Sequence, residues 1–365
     1  MTREIRIGDR RVGPGCSTYV VAELSANHGQ SYEQAARLVH AAKQAGADAV
    51  KLQTYTADTM TIASDRDCFR IRGGTIWDGR SLHSLYQEAY TPWEWQPKLK
   101  DLAESLGMDL FSTPFDESAV DFLQAMEVPA FKIASFELVD LPLIERVART
   151  GKPMILSTGM ATLAEIAEAV EAFRTAGGRE LALLKCTSAY PAAPSEMNLR
   201  TISHLSEAFD VPVGISDHTL SAAVPVAAVA LGACIVEKHL TLSRDSPGPD
   251  SAFSLEPQEF AAMVEAIRTA EQALGKVYYG LTAQEGACRA FRRSLFVVRE
   301  MRAGEPFDAQ NVRAIRPGPG LPPKYLRQVL GRRAVVDIPA GTPLSWDLVG
   351  KRDEEHASKN QSRAA

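Results

Sequence analysis

PMILSTGMATLAE, residues 153 to 165, holds a strand, a loop and a helix start in one short run. Met154, Ile155 and Leu156 form an apolar stretch of strand length, and Ser157, Thr158 and Gly159 end it. Thr162 followed three residues later by Glu165 then spells a capping box, the mark of a helix N-terminus. Such an N-terminus is a ready anion site. The same unit recurs on both sides. From residue 19 to about 275, runs rich in Val, Ile, Leu and Phe alternate with longer stretches of helical period. The strand candidates are YVVAELS (19 to 25), AVKLQTY (49 to 55), DLFSTPF (109 to 115), AFKIASF (130 to 136), PMILSTG (153 to 159), LALLKCTS (181 to 188), VPVGISD (211 to 217) and CIVEKHL (234 to 240). Eight parallel strands with a helix over each crossover close a (β/α)8 TIM barrel. The helical pattern is clearest in Phe260, Met263, Val264, Ile267 and Leu274, which share one face. No GxGxxG follows any of the runs, which sets aside a doubly wound sheet.

The whole chain, 365 residues with 45% hydrophobic and 23% charged, is long enough for such a barrel and one smaller domain. A net charge of -5 gives no sequence-wide attraction to nucleic acid or to an anionic membrane. The start, MTREIRIGDRR, is charged where a signal peptide needs an apolar run, and no stretch reaches the roughly 18 apolar residues of a membrane span, so a cytoplasmic protein is expected. Cys16, Cys68, Cys186, Cys234 and Cys288 are scattered without a CxxC pair and read as free thiols.

Residues 56 to 91 break the short-loop rule and read as a lid or substrate loop, against an insertion that only packs on the barrel rim. After the barrel (1 to 275), residues 276 to 291 read as a linker and 292 to 350 as a small all-β domain. In that domain REMRAGEPFDAQNV (299 to 312) and VDIPAGTPLSWDLV (336 to 349) share AG-x-P followed by an apolar residue, which predicts two similar β corners facing each other. The tail from Lys351 is polar and aperiodic, and disorder is expected there.

In a (β/α)8 barrel the C-terminal ends of the strands carry the site. Those ends supply Glu23, Lys51 with Gln53, Ser112 with Thr113, Lys132 with Ser135, Ser157, Thr187 with Ser188 and Tyr190, Ser216 with His218, and Glu237 with His239. Alternation along a strand puts Lys51 with Gln53, and Glu237 with His239, on one face. An inward lysine is costly unless it meets an anion, so Lys51 and Lys132 among hydroxyls point to a phosphate or carboxylate. The parity of Lys185 stays open. His218 and His239 end neighbouring strands about 4.8 Å apart, within reach of one divalent ion such as Mg, Mn or Co, with Glu237 and Asp217 close by. No GxSxG elbow or strand-to-helix phosphate loop is present.

AELSANHG (22 to 29), GADAVKLQ (46 to 53), FSTPFD (111 to 116), KIAS (132 to 135), ILSTGMAT (155 to 162), LLKCTSAYP (183 to 191), GISDHT (214 to 219), EKHLT (237 to 241), GPD (248 to 250) and RPG (316 to 318) follow the motif order of a known family. The chain resembles the sialic acid (N-acylneuraminate) synthases with a C-terminal antifreeze-like (SAF) domain. GTIWDG (74 to 79), EAYTPWEWQ (88 to 96) and DSAFSLEP (250 to 257) look like the pseudaminic acid synthase branch.

The resemblance implies condensation of phosphoenolpyruvate with 2,4-diacetamido-2,4,6-trideoxy-altrose, or, as alternatives, an N-acetylneuraminate or legionaminic acid synthase. It implies a phosphoenolpyruvate pocket of Lys51, Thr113, Lys132, Ser135, Ser157, Ser188 and Ser216, and metal ligands His218 and His239. Glu23 and Glu237 would handle protons and water, with Lys51 and His239 completing the catalytic set. Gln53, Tyr190 and Asp250 would touch the sugar. Arg316 would reach over a barrel mouth, in a homodimer with shared sites. Two departures, Ser188 where the family tends to have Asn and Arg292 at an aromatic position, fit a different sugar. The rival synthases of deoxy-heptulosonate or deoxy-octulosonate phosphates lack the small domain and need a second basic cluster that this chain does not display.

Overall fold

Each apolar run becomes a parallel strand. In the computed structural model, which describes residues 4–351, a hairpin of β1 (Ile5–Ile7) and β2 (Arg10–Val12) precedes β3 (Tyr19–Glu23), β4 (Ala49–Thr54), β5 (Asp109–Pro114), β6 (Phe131–Ile133), β7 (Met154–Ser157), β8 (Leu181–Cys186), β9 (Val213–Asp217) and β10 (Ile235–His239). The eight close as a barrel in the order β10-β3-β4-β5-β6-β7-β8-β9, as the sequence predicts. Seven of the eight strands end one to three residues before their apolar runs do, because the last residues turn outward into the loops that carry the site, whereas β9 continues to the end of its run at Asp217.

Register fixes which side chains share a tier. Glu23 lies opposite Lys51 on one side and His239 on the other, and Glu237 lies opposite Ser216. Gln53 stands opposite Thr113. Phe260, Met263, Val264 and Ile267 of the Pro257–Leu274 helix are buried as expected, whereas Leu274, its last residue, is exposed.

The N-terminal hairpin was not among the sequence expectations. It buries Ile5, Ile7 and Val12, and Arg10 Nη1 donates to Asp48 Oδ1 at 2.8 Å, just before β4 begins, so the hairpin closes the N-terminal end of the barrel. Its turn needs Gly8, which has φ +56 and would place a Cβ 2.6 Å from the Asp109 carboxylate.

The chain divides into two compact units between Gly275 and Lys276. In the second, residues 276–291 are exposed throughout and include short helices at Glu285–Cys288 and Arg289–Phe291. Beyond them β11 (Ser294–Val297) pairs with β12 (Val312–Ile315). The two AG-x-P segments do face each other. Met301 and Ile338, which correspond in the repeat, exchange both backbone hydrogen bonds at 2.9 and 2.8 Å. Gly304 donates to Ala334 as Gly341 donates to Val297, so the corners are related by a local two-fold. The tail expected to be disordered lies outside the described residues apart from Lys351.

Candidate functional site

At the C-terminal ends of the strands lies a cavity of about 450 Å³, within the usual range for a small-molecule site. Glu23, Lys51, Gln53, Thr113, Lys132, Ser135, Ser157, Tyr190, Ser216, His218, Glu237, His239 and Asp250 all line it. These residues come from every part of the barrel sequence, and strand alternation with the register above turns them inward together.

The two lysines have different partners. Lys51 Nζ lies 2.8 Å from Glu237 Oε1 and 3.2 Å from Glu23 Oε2, so its charge is met by the protein itself. Burial alone would lower its pKa, and the two carboxylates outweigh that and raise it. Lys132 Nζ instead donates to Ile133 O and Ser157 Oγ, both at 2.7 Å and both neutral. Burial pushes this ammonium down to about 8, which leaves it the cation in need of an anion.

The carboxyls also part company. Burial pushes Glu237 up, yet Lys51 and Lys132, with the Ser216 hydroxyl donating at 3.0 Å, hold it at about 2. At Glu23 burial wins and its pKa is raised, although Lys51 is adjacent and Gln53 Nε2 donates to it at 2.8 Å. One carboxyl is thus a fixed anion and the other is suited to exchange protons. Asp250, which accepts from Ser25, is raised to about 7 by burial.

The hydroxyls gather around Gly159. Its N–H donates to Ser135 Oγ at 3.0 Å, and a Cβ there would fall 2.2 Å from Ser188 Oγ and 2.7 Å from Ser135 Oγ. Only glycine lets the backbone approach both. Ser188 stands behind this point rather than on the cavity surface. Thr113 Oγ1 is buried with no hydrogen-bond partner among the described residues, as a group awaiting a ligand oxygen would be.

His218 and His239 meet as expected, with ring centroids 5.3 Å apart. His218 Nδ1 is 3.1 Å from Thr187 O, which leaves Nε2 for a ligand. Burial, reinforced by His218 and Lys51, holds His239 neutral with a pKa well below the usual imidazole range, and its Nδ1 is buried without a partner among the described residues. At His218 burial lowers the pKa but Cys186, the Thr187 carbonyl and Glu237 outweigh it and raise it. The neutral His239 with its orphaned nitrogen, beside the open Nε2 of His218, fits a divalent ion whose remaining positions are filled by water and substrate oxygens. No group of three or more His, Cys, Asp or Glu among the described residues could hold one alone.

Three further expectations change, and the parity left open for Lys185 resolves outward. Asp217 does not join the histidines. It points to the helix side of the sheet, where it pairs with the buried Lys238 at 2.5 Å, because positions 217 and 238 have the opposite parity to 216, 237 and 239. Ser112 likewise faces out and bonds Thr54 Oγ1 at 2.6 Å. Lys185 also faces away, its Nζ donating to Cys186 O at 2.6 Å and to Thr187 Oγ1. The N-terminus of the Leu163–Thr175 helix satisfies itself through the Thr162 and Glu165 capping box, and neither residue lines the cavity. Arg316 follows β12 in the second unit, so the cavity is described without it.

Beyond the residues read from the strand ends, the cavity lining includes Cys186 and Glu137, two groups that can ionise. Cys186 lies 3.9 Å from His218 Nδ1 and 3.6 Å from Ser188 Oγ; burial pushes the thiol up, and these neighbours with Ser135 bring it down to about 6. Its signal was parity, two residues before Ser188. Glu137 ends the short 3-10 helix Ser135–Glu137 beyond β6, where strand alternation no longer predicts direction. Burial raises its carboxyl to about 7, and its Oε2 has no partner among the described residues.

Fold and site together have the form of a barrel enzyme, with its ionisable groups gathered at the strand C-termini. Comparison with known proteins narrows that class. Residues 38–279 match the NeuB family and residues 292–350 match the SAF domain. The chain is 45% identical to the pseudaminic acid synthase of Helicobacter pylori, over 90% of this chain and 96% of that one. It is 35% identical to the N,N'-diacetyllegionaminic acid synthase of Legionella pneumophila, over 92% and 96%. The crystal structure of an N-acetylneuraminic acid synthetase from Leptospira borgpetersenii, in complex with citrate, superposes with TM-score 0.70 at 30% identity, covering 79% of this chain and 95% of that chain. The chain therefore belongs to the NeuB family, with a C-terminal SAF domain.

Proposed function

We propose that this enzyme is a transferase that makes pseudaminic acid, joining phosphoenolpyruvate to 2,4-diacetamido-2,4,6-trideoxy-altrose and releasing phosphate. The likeness to the pseudaminic acid synthase of Helicobacter pylori supports this sugar over those of its legionaminic and N-acetylneuraminic counterparts. The observation in the site that carries the reading is Lys132, a buried ammonium with only neutral partners beside Ser135, Ser157 and the unpartnered Thr113 hydroxyl. A phosphate or carboxylate supplies the charge this cluster lacks.

In the reaction, C3 of phosphoenolpyruvate forms a bond to the aldehyde carbon of the open-chain sugar, whose oxygen takes a proton and becomes a hydroxyl. Water adds at C2 and loses a proton, and the C2–O bond to phosphate breaks, so that one water is consumed per phosphate released. Lys132, the surrounding hydroxyls and Ser216 orient phosphoenolpyruvate, with Ser188 behind them. Glu23, the carboxyl whose pKa is raised, exchanges the proton, and Glu237 stays ionised to hold Lys51 in place. Gln53, Tyr190 and Asp250 face the sugar. A divalent ion (Mg, Mn or Co) held by His218 and His239 would supply Lewis acidity toward the aldehyde oxygen. A cytoplasmic setting is part of this reading; no helix among the described residues is long and apolar enough to cross a membrane.

The test is phosphate release from phosphoenolpyruvate with each candidate amino-hexose. The altrose is expected to give the highest kcat/KM, and exhaustive chelation to abolish turnover until Mg, Mn or Co is restored. Higher kcat/KM with N-acetylmannosamine would replace the sugar assignment, and full activity after chelation would remove the metal.

A further inference from the structure

The cavity has two unlike ends. Its ionisable groups lie toward the barrel axis, whereas the 56–91 insertion contributes Met60, Ile71, Leu82, Leu85 and Ala89, joined by Phe115 from the end of β5. Leu85 is buried and the others are half-buried, so these side chains present a largely apolar wall to the cavity, with Thr75 and the Tyr55 and Tyr86 rings beside them. Tyr55 anchors it, with its ring 5.7 Å from Tyr86 of the Leu82–Ala89 helix and 5.2 Å from Phe115. An open-chain sugar whose aldehyde carbon meets phosphoenolpyruvate among the ionisable groups must direct its far end elsewhere.

We infer that the insertion's wall, with Leu82 and Met60 in contact with the ligand, receives the far end of the sugar and selects a methyl group there over a hydroxymethyl group. The inference rests on the function proposed above and assigns the choice of sugar to named residues. A hydroxyl placed against Leu, Met and Phe side chains loses its water and gains no partner. A methyl group loses nothing and buries apolar surface. An apolar pocket rejects an added hydroxyl by about 100-fold at most, so the expected preference lies between about 10-fold and 100-fold. Leu82 is the residue to change. It is the first residue of its helix, directly after the Ser81 cap, where a polar residue is tolerated.

The experiment compares two sugars that differ in one oxygen, the 2,4-diacetamido-2,4,6-trideoxy-altrose and its 6-hydroxy analogue, by kcat/KM for phosphate release. Wild type is expected to favour the deoxy sugar by about 10-fold to 100-fold. Leu82→Asn and Met60→Gln should each narrow that ratio by about tenfold with KM for phosphoenolpyruvate unchanged, and Leu82→Met should restore it. Thermal melting of each variant establishes that it is folded. A wild-type ratio near one, or a ratio unmoved in folded Leu82→Asn and Met60→Gln, overturns the assignment of the wall while leaving the proposed reaction standing. Turnover of N-acetylmannosamine above both altroses overturns the reaction's sugar and the wall together.

Discussion

Lys51 and Lys132 are both buried ammonium groups at strand ends, and what surrounds each one decides what its loss would do. Removing Lys51 leaves Glu23 and Glu237 facing each other without a counter-charge, so Lys51→Ala should destabilise the barrel by about 3–5 kcal/mol as well as abolish activity. Lys132 hydrogen-bonds only a carbonyl and a hydroxyl, and its attraction to Glu237 is one that Lys51 still supplies after its loss. Lys132→Met should leave Tm within a few degrees of wild type while kcat/KM for phosphoenolpyruvate falls by at least about 3 kcal/mol of transition-state stabilisation. Equal Tm losses in both variants would show that the two lysines do the same structural work.

The Lys132 pKa gives the same residue a pH signature. It is depressed to about 8 from an ordinary 10.5, so kcat/KM for phosphoenolpyruvate should fall as pH rises through about 8, and Lys132→Arg, which keeps its charge, should move that limb upward. Between those values the unfolded chain binds the extra proton, so this group's contribution to stability grows with pH while activity falls.

Among the elements, the 56–91 insertion shows most clearly how a loop becomes part of a site. Asp78 accepts from the backbone N–H groups of Gly73, Gly74 and Thr75, and this tight turn presents Trp77. Trp77 Nε1 donates to Pro249 O at 2.9 Å, and its ring lies 5.6 Å from Tyr190 and 6.2 Å from Phe253. The insertion is thereby tied to the loop that carries Asp250. One hydrogen bond and two aromatic pairs together contribute about 2–4 kcal/mol. Trp77→Ala should therefore raise KM for the sugar about tenfold or more with KM for phosphoenolpyruvate within about twofold. If both KM values are unchanged, the turn is decoration on the rim. The N-terminal hairpin carried its own local signal, Ile5 and Ile7 alternating up to a Gly8–Asp9 turn, but its placement depends on Asp48 and Asp109, which are remote in sequence.

For the whole molecule, the exposed Phe136, Val139, Met160 and Leu163 are 51–63% accessible on the loops and helix start that follow β6 and β7, beside the cavity mouth. An apolar rim of this kind calls for a cover. The proposed cover is a second copy of the chain in a two-fold dimer, with Arg316 of each small domain completing the other subunit's barrel. Coexpression of Lys132→Ala with Arg316→Ala tests it, each variant being nearly inactive alone. Random pairing makes half the dimers mixed, each with one whole site, so about a quarter of wild-type activity should return. Mixed dimers no more active than either parent would exclude a shared site.

The sequence by itself determined the barrel, the inward lysines and histidines, and the repeat in the small domain, because each is written in local periodicity. Alternation decides which face a strand residue takes, and eight apolar runs at βα spacing leave closure as the way to bury both faces. Tertiary structure alone decided which groups meet across strands. The shared tier of Glu23, Lys51 and His239 depends on inter-strand register, and so does the partner of Asp217: alternation already turned it away from Ser216, but only the register brought it to Lys238. Glu137, in the single-turn 3-10 helix Ser135–Glu137, and Gly159, in the turn after β7, lie beyond the strands, where strand alternation no longer fixes direction, so their roles at the cavity follow only from the packing around them.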